Sequence, residues 1–313
     1  NPKLMMVFCV TVYRYIVSHI IHSQALHNRK TLEMRLDHLC LSDIRLFFKN
    51  RSLHEIAQIA MLLGGVPKYL EVWNGHQSVK ANLNSLFFRR GGFFVNELET
   101  LFKEQFQVMK YYESIIRALS FQDLNLTQIG ESVSFTSGGA LKKYLVNLEI
   151  AGFVREEKSI SFTGKSRDKT RKYCLEDPFL RSYFSLIEPH RHKINRNLSG
   201  DLAGSVMGET ADSFFGRAFD WLVYRSLSRI LDLLNIPLGD IKDYGPYFRQ
   251  GSRGKIRKPG VQIDLVLIRK DYCVTLIENK FSQNKIGSSI LDEFQNKIDA
   301  LQLPDHFSVE KVL

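Results

Sequence analysis

Two apolar segments near the end of the sequence each carry a carboxylate, and this feature most limits how the chain can fold. Residues 261–268 (VQIDLVLI) and 272–278 (YCVTLIE) have the branched, apolar composition of buried strands. A carboxylate inside a buried strand is strongly unfavourable unless a cation or a metal ion compensates its charge. We therefore expect Asp264 and Glu278 to meet a lysine, an arginine or a metal ion in the folded chain.

The spacing of Asp264, Glu278 and Lys280 suggests one form of compensation. Two carboxylates on neighbouring strands offer the oxygen ligands that Mg²⁺ prefers, and Mg²⁺ activates water and neutralises charge on a phosphate. Lys280 shares a strand face with Glu278 because side chains alternate between faces, so it could orient the attacking water. Gln262 faces the same side as Asp264 and could assist. The alternative is a structural acid, with Asp264 paired to Lys280 or to a loop arginine.

The middle of the chain shows three helical segments followed by two short strand patterns. Helices are predicted at 109–119, from Thr127 onward and at 138–151, and strands at 153–155 and 171–175. This is the order of a winged helix-turn-helix, which binds DNA through its third helix and its hairpin.

Basic side chains occur where such a module contacts DNA. Lys142 and Lys143 lie in the first turns of the third helix. The hairpin segment adds five predicted phosphate contacts: Lys165, Arg167, Lys169, Arg171 and Lys172. Phosphate binding releases counterions, so we expect DNA binding that weakens as the salt concentration rises. The alternative is a winged helix that only packs between domains.

The overall composition agrees with a polyanionic partner. The 313 residues contain 43 Lys and Arg against 33 Asp and Glu, a formal net charge of +10. The four cysteines lack the spacing of a zinc site or of a disulfide framework, which predicts a reducing, cytoplasmic location. Residues 4–11 are typical of a buried strand, and this apolar stretch is far shorter than the roughly 20 residues that span a membrane.

The remaining patterns are mostly helical. Ser52 and Glu55 form a capping box that starts a helix ending at Gly64. Further helices are predicted over residues 83–106, 213–234 and 288–301, a linker over 190–212 and a basic loop over 245–260.

Several short motifs resemble an archaeal-type AAA/STAND family of ATPases that also occurs in bacteria. Residues 63–70 (LGGVPKYL) are similar to the lid motif of the family, and residues 145–154 (LVNLEIAGFV) and 177–181 (DPFLR) to its winged helix. Phe219-Asp220, Gln262-Ile263-Asp264 and Glu278-Asn279-Lys280 resemble its C-terminal PD-(D/E)xK nuclease-like domain. Residues 5–11 and Asn28-Arg29 resemble the sensor strand of its ATPase core and the residues that follow it.

The resemblance implies an α/β fold in three parts. Residues 1–107 would hold a remnant of the P-loop ATPase sheet and its helical lid, residues 108–189 a winged helix-turn-helix, and residues 190–313 a PD-(D/E)xK-like α/β domain. Asp264 and Glu278 would bind Mg²⁺, and Lys280 would assist the water. Asp220 would contribute from the preceding helix, where the family commonly has the longer glutamate.

The nucleotide-binding segments of the family have no counterpart in this sequence. No G-x-x-x-x-G-K-[ST] loop occurs, so nothing would cradle the phosphates of ATP, a cofactor expected only in full-length family members. We expect a truncated or split family member, or a fragment of a longer chain, with an ATPase-core partner or a missing N-terminal segment. The main hypothesis is a DNA-binding, Mg²⁺-dependent endonuclease. The alternative is a non-catalytic DNA- or partner-binding protein with a degenerate nuclease-like fold.

We predict that the purified 313-residue chain does not bind ATP, because its sequence has no glycine-rich loop and lysine to hold the β- and γ-phosphates. Titration with a fluorescent ATP analogue, with and without Mg²⁺, should show no saturable signal. Saturable binding that unlabelled ATP displaces would contradict this interpretation.

Overall fold

The computed structural model describes residues 7, 31, 32, 34, 36–105, 109–135, 138–163, 171–196, 200–249, 251, 260–282, 287–301 and 303–313. The chain has a mixed α/β fold, which confirms the predicted fold class. The predicted strand at 4–11, apart from Val7, and the Asn28-Arg29 pair lie outside the described residues. None of the described helices combines the length and the apolar character that crossing a membrane requires.

Helices make up the first part of the described chain. They are α1 (Leu41–Phe47), α2 (Leu53–Leu63), α3 (Pro67–Val72), α4 (Val79–Leu86) and α5 (Glu97–Gln105). The predicted capping box starts α2, where the Ser52 hydroxyl accepts a hydrogen bond from the Glu55 amide at 3.2 Å. Helix α2 is buried from Ile56 to Leu63 and lies in the main hydrophobic core.

The continuous helix predicted over 83–106 is wrong, because the chain breaks after Leu86 and passes through a 3₁₀ turn (Phe93–Val95) before α5 begins. Two glycines explain the break. Gly91 has a φ of +76°, a backbone conformation that residues with a Cβ rarely adopt. A Cβ added to Gly92 would come within 2.6 Å of the Leu86 carbonyl oxygen. The apolar pattern continues across the break because both helices pack on the same core.

The Gly-Gly-Val-Pro motif joins α2 to α3 through three separate constraints. Gly64 ends α2 with a φ of +66°. Gly65 lies against the backbone of Leu39, whose amide donates to the Gly65 carbonyl at 2.9 Å, and an added Cβ would collide with that backbone. Pro67 takes the first position of α3, where its missing N–H removes no helical hydrogen bond.

Three helices and an antiparallel hairpin follow, in the predicted order. They are α6 (Met109–Phe121), α7 (Leu126–Ser132), α8 (Gly138–Ile150), β1 (Val154–Lys158) and β2 (Arg171–Leu175). Helix α7 starts one residue earlier than expected because the Asn125 side chain accepts a hydrogen bond from the Gln128 amide at 2.9 Å. Leu124 pairs with Tyr173 and so adds a third short segment beside β2. We call residues 109–175 the helix–hairpin unit.

A buried helical segment connects this unit to the last part of the chain. It contains α9 (Pro178–Ser182), a π-helical turn (Tyr183–Ile187), a 3₁₀ turn (Glu188–His190) and α10 (Arg191–Asn195). Asp177 caps α9 by accepting a hydrogen bond from the Leu180 amide at 2.9 Å. The Ser182 hydroxyl donates to the Leu62 carbonyl at 2.7 Å, which ties α9 to α2.

The linker predicted over 190–212 is wrong for most of its described residues, because α10 and the start of α11 (Leu202–Arg225) occupy them. Asp201 caps α11 by accepting a hydrogen bond from an amide of its first turn at 2.9 Å. The glycines in this stretch weaken its helix propensity, but Ala203 and Val206 pack into the main core. Tertiary packing therefore decides the structure here.

A four-stranded sheet lies at the end of the chain. Its strands are β3 (Ile241–Arg249), β4 (Val261–Arg269), β5 (Cys273–Ile277) and β6 (Ser308–Val312), in that spatial order. The first three strands are antiparallel neighbours, whereas β6 pairs parallel with β5 after a crossover through α13 (Ser289–Asp299). Helices cover both faces: Phe294 of α13 packs on one face, and Leu231 of α12 (Leu227–Leu233) packs on the other.

The sequence predicted β4 and β5 but not the two edge strands. Strand β3 carries Gly245-Pro246 and continues to Arg249, so the loop predicted over 245–260 is wrong for residues 245–249. A proline is tolerated there because β3 is an edge strand. Strand β6 has five residues, including Glu310 and Lys311, and is mostly exposed. Neither strand has the apolar run that identified the central pair.

We predict that Gly65→Ala lowers the free energy of unfolding by roughly 1–3 kcal/mol, because the new methyl group must push the Leu39 backbone away. Gly208→Ala in α11 is the control, since a Cβ there meets nothing within 4 Å, and it should be neutral or stabilising by about 0.5–1 kcal/mol. Urea unfolding followed by circular dichroism measures both variants. Wild-type stability in Gly65→Ala would contradict the close backbone contact.

Candidate functional site

The neighbouring strands β4 and β5 bring two of the predicted acids to adjacent positions. The register pairs Leu265 with Ile277, so Asp264 and Glu278 occupy the next position along the two strands. Asp220 reaches the same place from the last turns of α11. The fold therefore brings together three predicted acids that are far apart in the sequence.

A β-bulge in β4 determines the direction of Asp264. The register between β3 and β4 shifts between Ile263 and Val266. Asp264 and Leu265 together therefore face one residue of β3, Pro246. Because of this extra residue, Ile263 and Val266 pack on the same core beside α13, and Asp264 lies toward α11 on the other face.

Asn279 connects two of the acids, a role that the sequence analysis missed. Its backbone amide donates to Asp264 Oδ2 at 3.0 Å, and its side-chain amide donates to Asp220 Oδ1 at 3.3 Å. Both bonds favour the ionised carboxylates. One residue thereby ties α11, β4 and the end of β5 together.

Glu278 is the most buried of the three acids, with 3% of its side chain exposed. Its amide donates to the Val312 carbonyl of β6 at 3.1 Å. Its Oε1 accepts a hydrogen bond from Lys297 of α13, with which it forms an ion pair, and lies 3.5 Å from Lys280 Nζ. Its Oε2 is buried and has no hydrogen-bond partner among the described residues. A buried oxygen without a partner is unfavourable, so this atom is available to a ligand.

Lys297 is the second residue of the site that the sequence analysis missed. It is one of several polar residues along α13, and nothing in its spacing shows that it reaches Glu278. The contact depends on how the crossover helix returns past β5 toward β6. Lys280, in contrast, lies beside Glu278 as expected, although both residues follow Ile277, the last residue of β5.

Burial and mutual repulsion raise the pKa of two of the acids. Burial, and then the charge of Asp264, raise the pKa of Asp220 to about 7. Burial and the charge of Glu278 raise the pKa of Asp264, against the opposing effect of the Asn279 amide and two nearby lysines. The site therefore favours either bound protons or a bound cation.

The donors of the site suit a hard divalent cation. Asp220, Asp264 and Glu278 offer only carboxylate oxygens, the ligands that Mg²⁺ prefers, and Glu278 Oε2 has no partner within the described chain. The three carboxylates are not tightly clustered. Among the described residues, the group whose ligand atoms all lie within 4.8 Å of one another is a different one, formed by Asp123, Glu157 and Cys174.

This second cluster lies in the helix–hairpin unit and suits a metal ion less well. Burial, together with the charges of Asp123 and Glu157, raises the pKa of the Cys174 thiol well above its usual range, so the thiol stays protonated. Glu157 is already paired with the guanidinium of Arg155. A metal ion would have to displace both the proton and the arginine.

The predicted DNA contacts differ in how they are placed. Lys142 and Lys143 are exposed on α8. Arg171 is exposed but pairs with an acid of β1 at 3.1 Å, and Lys172 lies over the Phe248 ring at 4.5 Å from its centre. Three further predicted contacts lie outside the described residues: Lys165, Arg167 and Lys169. The described cations therefore point partly to solvent and partly to the sheet.

The helix–hairpin unit packs directly on the sheet. The Ile160 amide donates to the Pro246 carbonyl at 2.9 Å, and the Phe248 amide donates to the Ser159 hydroxyl at 3.0 Å. Ile160 is buried in the same core as β4 and α13. This shared core agrees with the alternative in which the helix–hairpin unit packs against the rest of the chain, while α8 keeps its exposed lysines.

Comparisons with known proteins give a distant likeness. No protein-family model matches the chain, and no solved structure matches it. A protein of Methanocaldococcus jannaschii, described as uncharacterized, is 26% identical over 182 residues. The match covers 56% of this chain and 39% of that protein, so the chain spans about two fifths of the length of this relative. The description of the relative names no activity or partner.

We predict that the free energy of unfolding falls as the pH rises from about 4 to about 7. Folded Asp220 keeps its proton up to about pH 7, whereas the unfolded carboxyl loses it near 3.8, so the folded state binds more protons between these values. The stabilisation present at low pH is therefore lost progressively over this interval and is gone above about pH 7, with a slope of at most about 1.4 kcal/mol per pH unit for one proton. Urea unfolding at a series of pH values measures this slope.

Asp220→Asn should flatten the slope, because asparagine does not titrate in this range. Asp212→Asn, an exposed residue of the same helix, is the matched control and should keep the wild-type slope. An equal slope in the wild type and in Asp220→Asn would rule out the raised pKa.

Proposed function

We propose that the chain is a DNA-binding protein with a Mg²⁺-dependent, nuclease-like site, related to the AAA-type ATPase family. In this proposal residues 190–313 form a PD-(D/E)xK-like domain, residues 108–189 a winged helix, and residues 1–107 part of an ATPase core with its lid. The contacts within the candidate site support the proposal most directly.

The observation that carries the proposal is a buried, unpartnered carboxylate oxygen beside a second acid and an open ammonium group. Glu278 Oε2 has no partner within the described chain, and Asp264 is close enough for the charge of Glu278 to raise its pKa. Lys280 lies 3.5 Å from Glu278 with 39% of its side chain exposed. A purely structural acid in this position would be fully paired, whereas a phosphodiester-cleaving site requires oxygen ligands and an accessible cation.

The position of each side chain supports a distinct role. Asp264 and Glu278 would hold Mg²⁺, with Asp220 as a further oxygen donor. The chemistry that Mg²⁺ supplies at such a site is a lowered pKa for water and neutralised charge on the phosphate. Lys280 would donate a hydrogen bond to the attacking water or to a phosphate oxygen. Lys297 would hold Glu278 in position through its ion pair.

Lys142 and Lys143 support DNA as the substrate. Both are exposed in the first turns of α8, the helix that would enter the major groove in a winged helix. The net charge of +10 agrees with a polyanionic partner. Contacts to phosphate would position the DNA, and the candidate site would act on it.

The rest of the proposal concerns the compartment and the nucleotide. Cys40, Cys174 and Cys273 are free thiols, which suits the reducing cytoplasm. The 313 residues contain no phosphate loop, so ATP hydrolysis would depend on an ATPase-core partner or on sequence beyond these residues.

A non-catalytic binding protein is the second candidate, and one observation favours it. Lys280 and Lys297 both lie beside Glu278 Oε1, so much of the charge of this carboxylate is compensated without a metal ion. In that case the acids would stabilise the fold, and the chain would bind DNA or a protein without cleaving it.

We predict DNA cleavage that requires Mg²⁺, Asp264 and Lys280. Incubation with supercoiled plasmid should give nicked or linear products with Mg²⁺ and none with EDTA. Asp264→Asn and Lys280→Met should lower the initial rate by about 100-fold or more, the usual size of acid–base and electrostatic contributions. Asp292→Asn and Lys270→Met change exposed residues of α13 and of the β4–β5 turn, and these matched controls should keep the wild-type rate.

Circular dichroism shows whether each variant is folded. Equal products from the wild type, Asp264→Asn and Lys280→Met would trace the cleavage to a contaminant and favour the non-catalytic candidate. No products, together with a thermal midpoint that Mg²⁺ leaves unchanged, would do the same.

A further inference from the structure

Two adjoining cavities share lining residues, the smaller within the helix–hairpin unit, where Glu156 also lines it, and the larger between that unit and the sheet. The smaller cavity, of about 250 Å³, is lined in part by Lys142 of α8, Asn125 and Arg171. The larger, of about 480 Å³, shares Asn125 and Arg171 and extends past Arg249 to Gln262 of β4. We call the two cavities together the basic groove.

Among the described residues that line the larger cavity, the charged ones are all cations. Arg171, Lys172 and Arg249 contribute three cations, and no acidic residue of the described chain lines this cavity. Arg171 forms an ion pair with an acid of β1, and Lys172 lies over the Phe248 ring. The positive charges of these two residues are therefore already partly engaged within the protein. A concave surface of one sign concentrates anions.

Arg249 is the cation best placed to bind an anion. Its Nη2 donates to the Ala300 carbonyl at 2.9 Å, which holds the guanidinium beside the groove. Its Nε and Nη1 have no hydrogen-bond partner in the described part of the chain. Both atoms are buried and lie on opposite edges of the guanidinium, so each would donate a separate hydrogen bond. A buried donor without a partner is unfavourable, so an anion at this end of the groove would stabilise Arg249 by accepting one of these bonds.

The basic groove leads toward the candidate site. Gln262 is exposed and lies directly opposite Phe248 in the register of β3 and β4. The side chains of these two residues therefore lie on the same face of the sheet. A strand rises about 3.3 Å per residue, so Asp264 lies roughly 7 Å beyond Gln262 on the same side of β4. An anionic chain in the groove would therefore run from α8 toward the carboxylates.

The volume of the larger cavity favours a single strand of nucleic acid over a duplex as its ligand. A cavity of about 480 Å³ has the volume of a site for one small ligand. A duplex cannot enter it, since the major groove of B-DNA alone is about 12 Å wide. The aromatic residue that lines the larger cavity, Phe248, is covered by Lys172 and only 7% exposed. Its ring cannot stack on a base, so the groove would recognise the phosphate backbone of the nucleic acid.

We propose that the basic groove binds the phosphodiester backbone of single-stranded DNA through Arg249 and Lys172. Binding does not depend on cleavage, but the delivery of the strand to Asp264 rests on the proposed function. The preferred substrate would then be DNA with an unpaired strand beside a duplex, the duplex lying on α8 and the unpaired strand in the groove.

The test is fluorescence anisotropy with labelled oligothymidylate at low salt and in EDTA, so that cleavage plays no part. Arg249→Gln and Lys172→Gln should each raise the Kd by about 10-fold. They should also lower the slope of log Kd against log salt concentration by about 0.7 for each cation removed. Binding to a blunt duplex should change less than about 2-fold. Lys270→Gln, at the far end of β4 and β5, is the matched control and should bind like the wild type.

Gln262→Glu is a second variant, useful because Arg249→Gln also removes the hydrogen bond to Ala300. A new negative charge on this exposed position should weaken binding of the single strand without affecting folding. Unchanged binding in the folded Gln262→Glu and Lys172→Gln variants would overturn the proposal, as would equal losses for duplex and single strand. Tighter binding of oligouridylate would assign the groove to RNA instead.

The two proposals fail in different ways. If the protein does not cleave plasmid but binds oligothymidylate in a manner that depends on Arg249, the nuclease proposal is wrong and the groove proposal stands. If Arg249→Gln and Gln262→Glu both cleave single-stranded DNA at the wild-type rate and with the wild-type KM, the groove proposal is wrong and the nuclease proposal stands.

Discussion

The rest of the site depends on one physical constraint, a carboxylate buried at the end of a central strand. Glu278 exposes 3% of its side chain and cannot keep its charge there without compensation. Lys280 comes from the same segment, Lys297 comes from the crossover helix, and the Val312 carbonyl of the neighbouring strand holds the backbone. The crossover, the parallel pairing of β6 and the charge balance of the site are thus parts of one arrangement. What remains uncompensated is Oε2, the atom that a ligand would use.

Irregular features of the sheet and of its neighbours position the other groups. The bulge opposite Pro246 turns Asp264 toward α11, where Asn279 joins it to Asp220. The same edge strand carries the helix–hairpin unit, because Ile160 and Ser159 bond to β3. The basic side chains of the hairpin and the carboxylates of the sheet are therefore held on one framework. In the proposed function, this framework would hold the DNA-binding surface and the cleavage site together.

Local patterns in the sequence were reliable where a single element determines its own structure. The apolar composition of β4 and β5, the capping box of α2 and the two-residue spacing of Glu278 and Lys280 are properties of short segments, and the structure agrees with each. The errors arose where packing overrides propensity. The 83–106 helix is broken at Gly91-Gly92, and the 190–212 linker is mostly helical because its small residues pack into the main core. The edge strands β3 and β6 carry proline and charge, so their pairing depends on the finished sheet.

The sequence by itself determined that the chain is α/β, that two central strands each carry an acid, and that an ammonium group lies two residues after the second acid. These are consequences of periodicity and of the free energy of burying charge, which act within a few residues. Only the tertiary structure decided that Lys297 reaches Glu278, that Asn279 joins Asp264 to Asp220, and that Arg249 lines a groove with the hairpin. These contacts join residues from separate elements, and no local pattern specifies how a crossover helix, a bulge and a hairpin come together around one sheet.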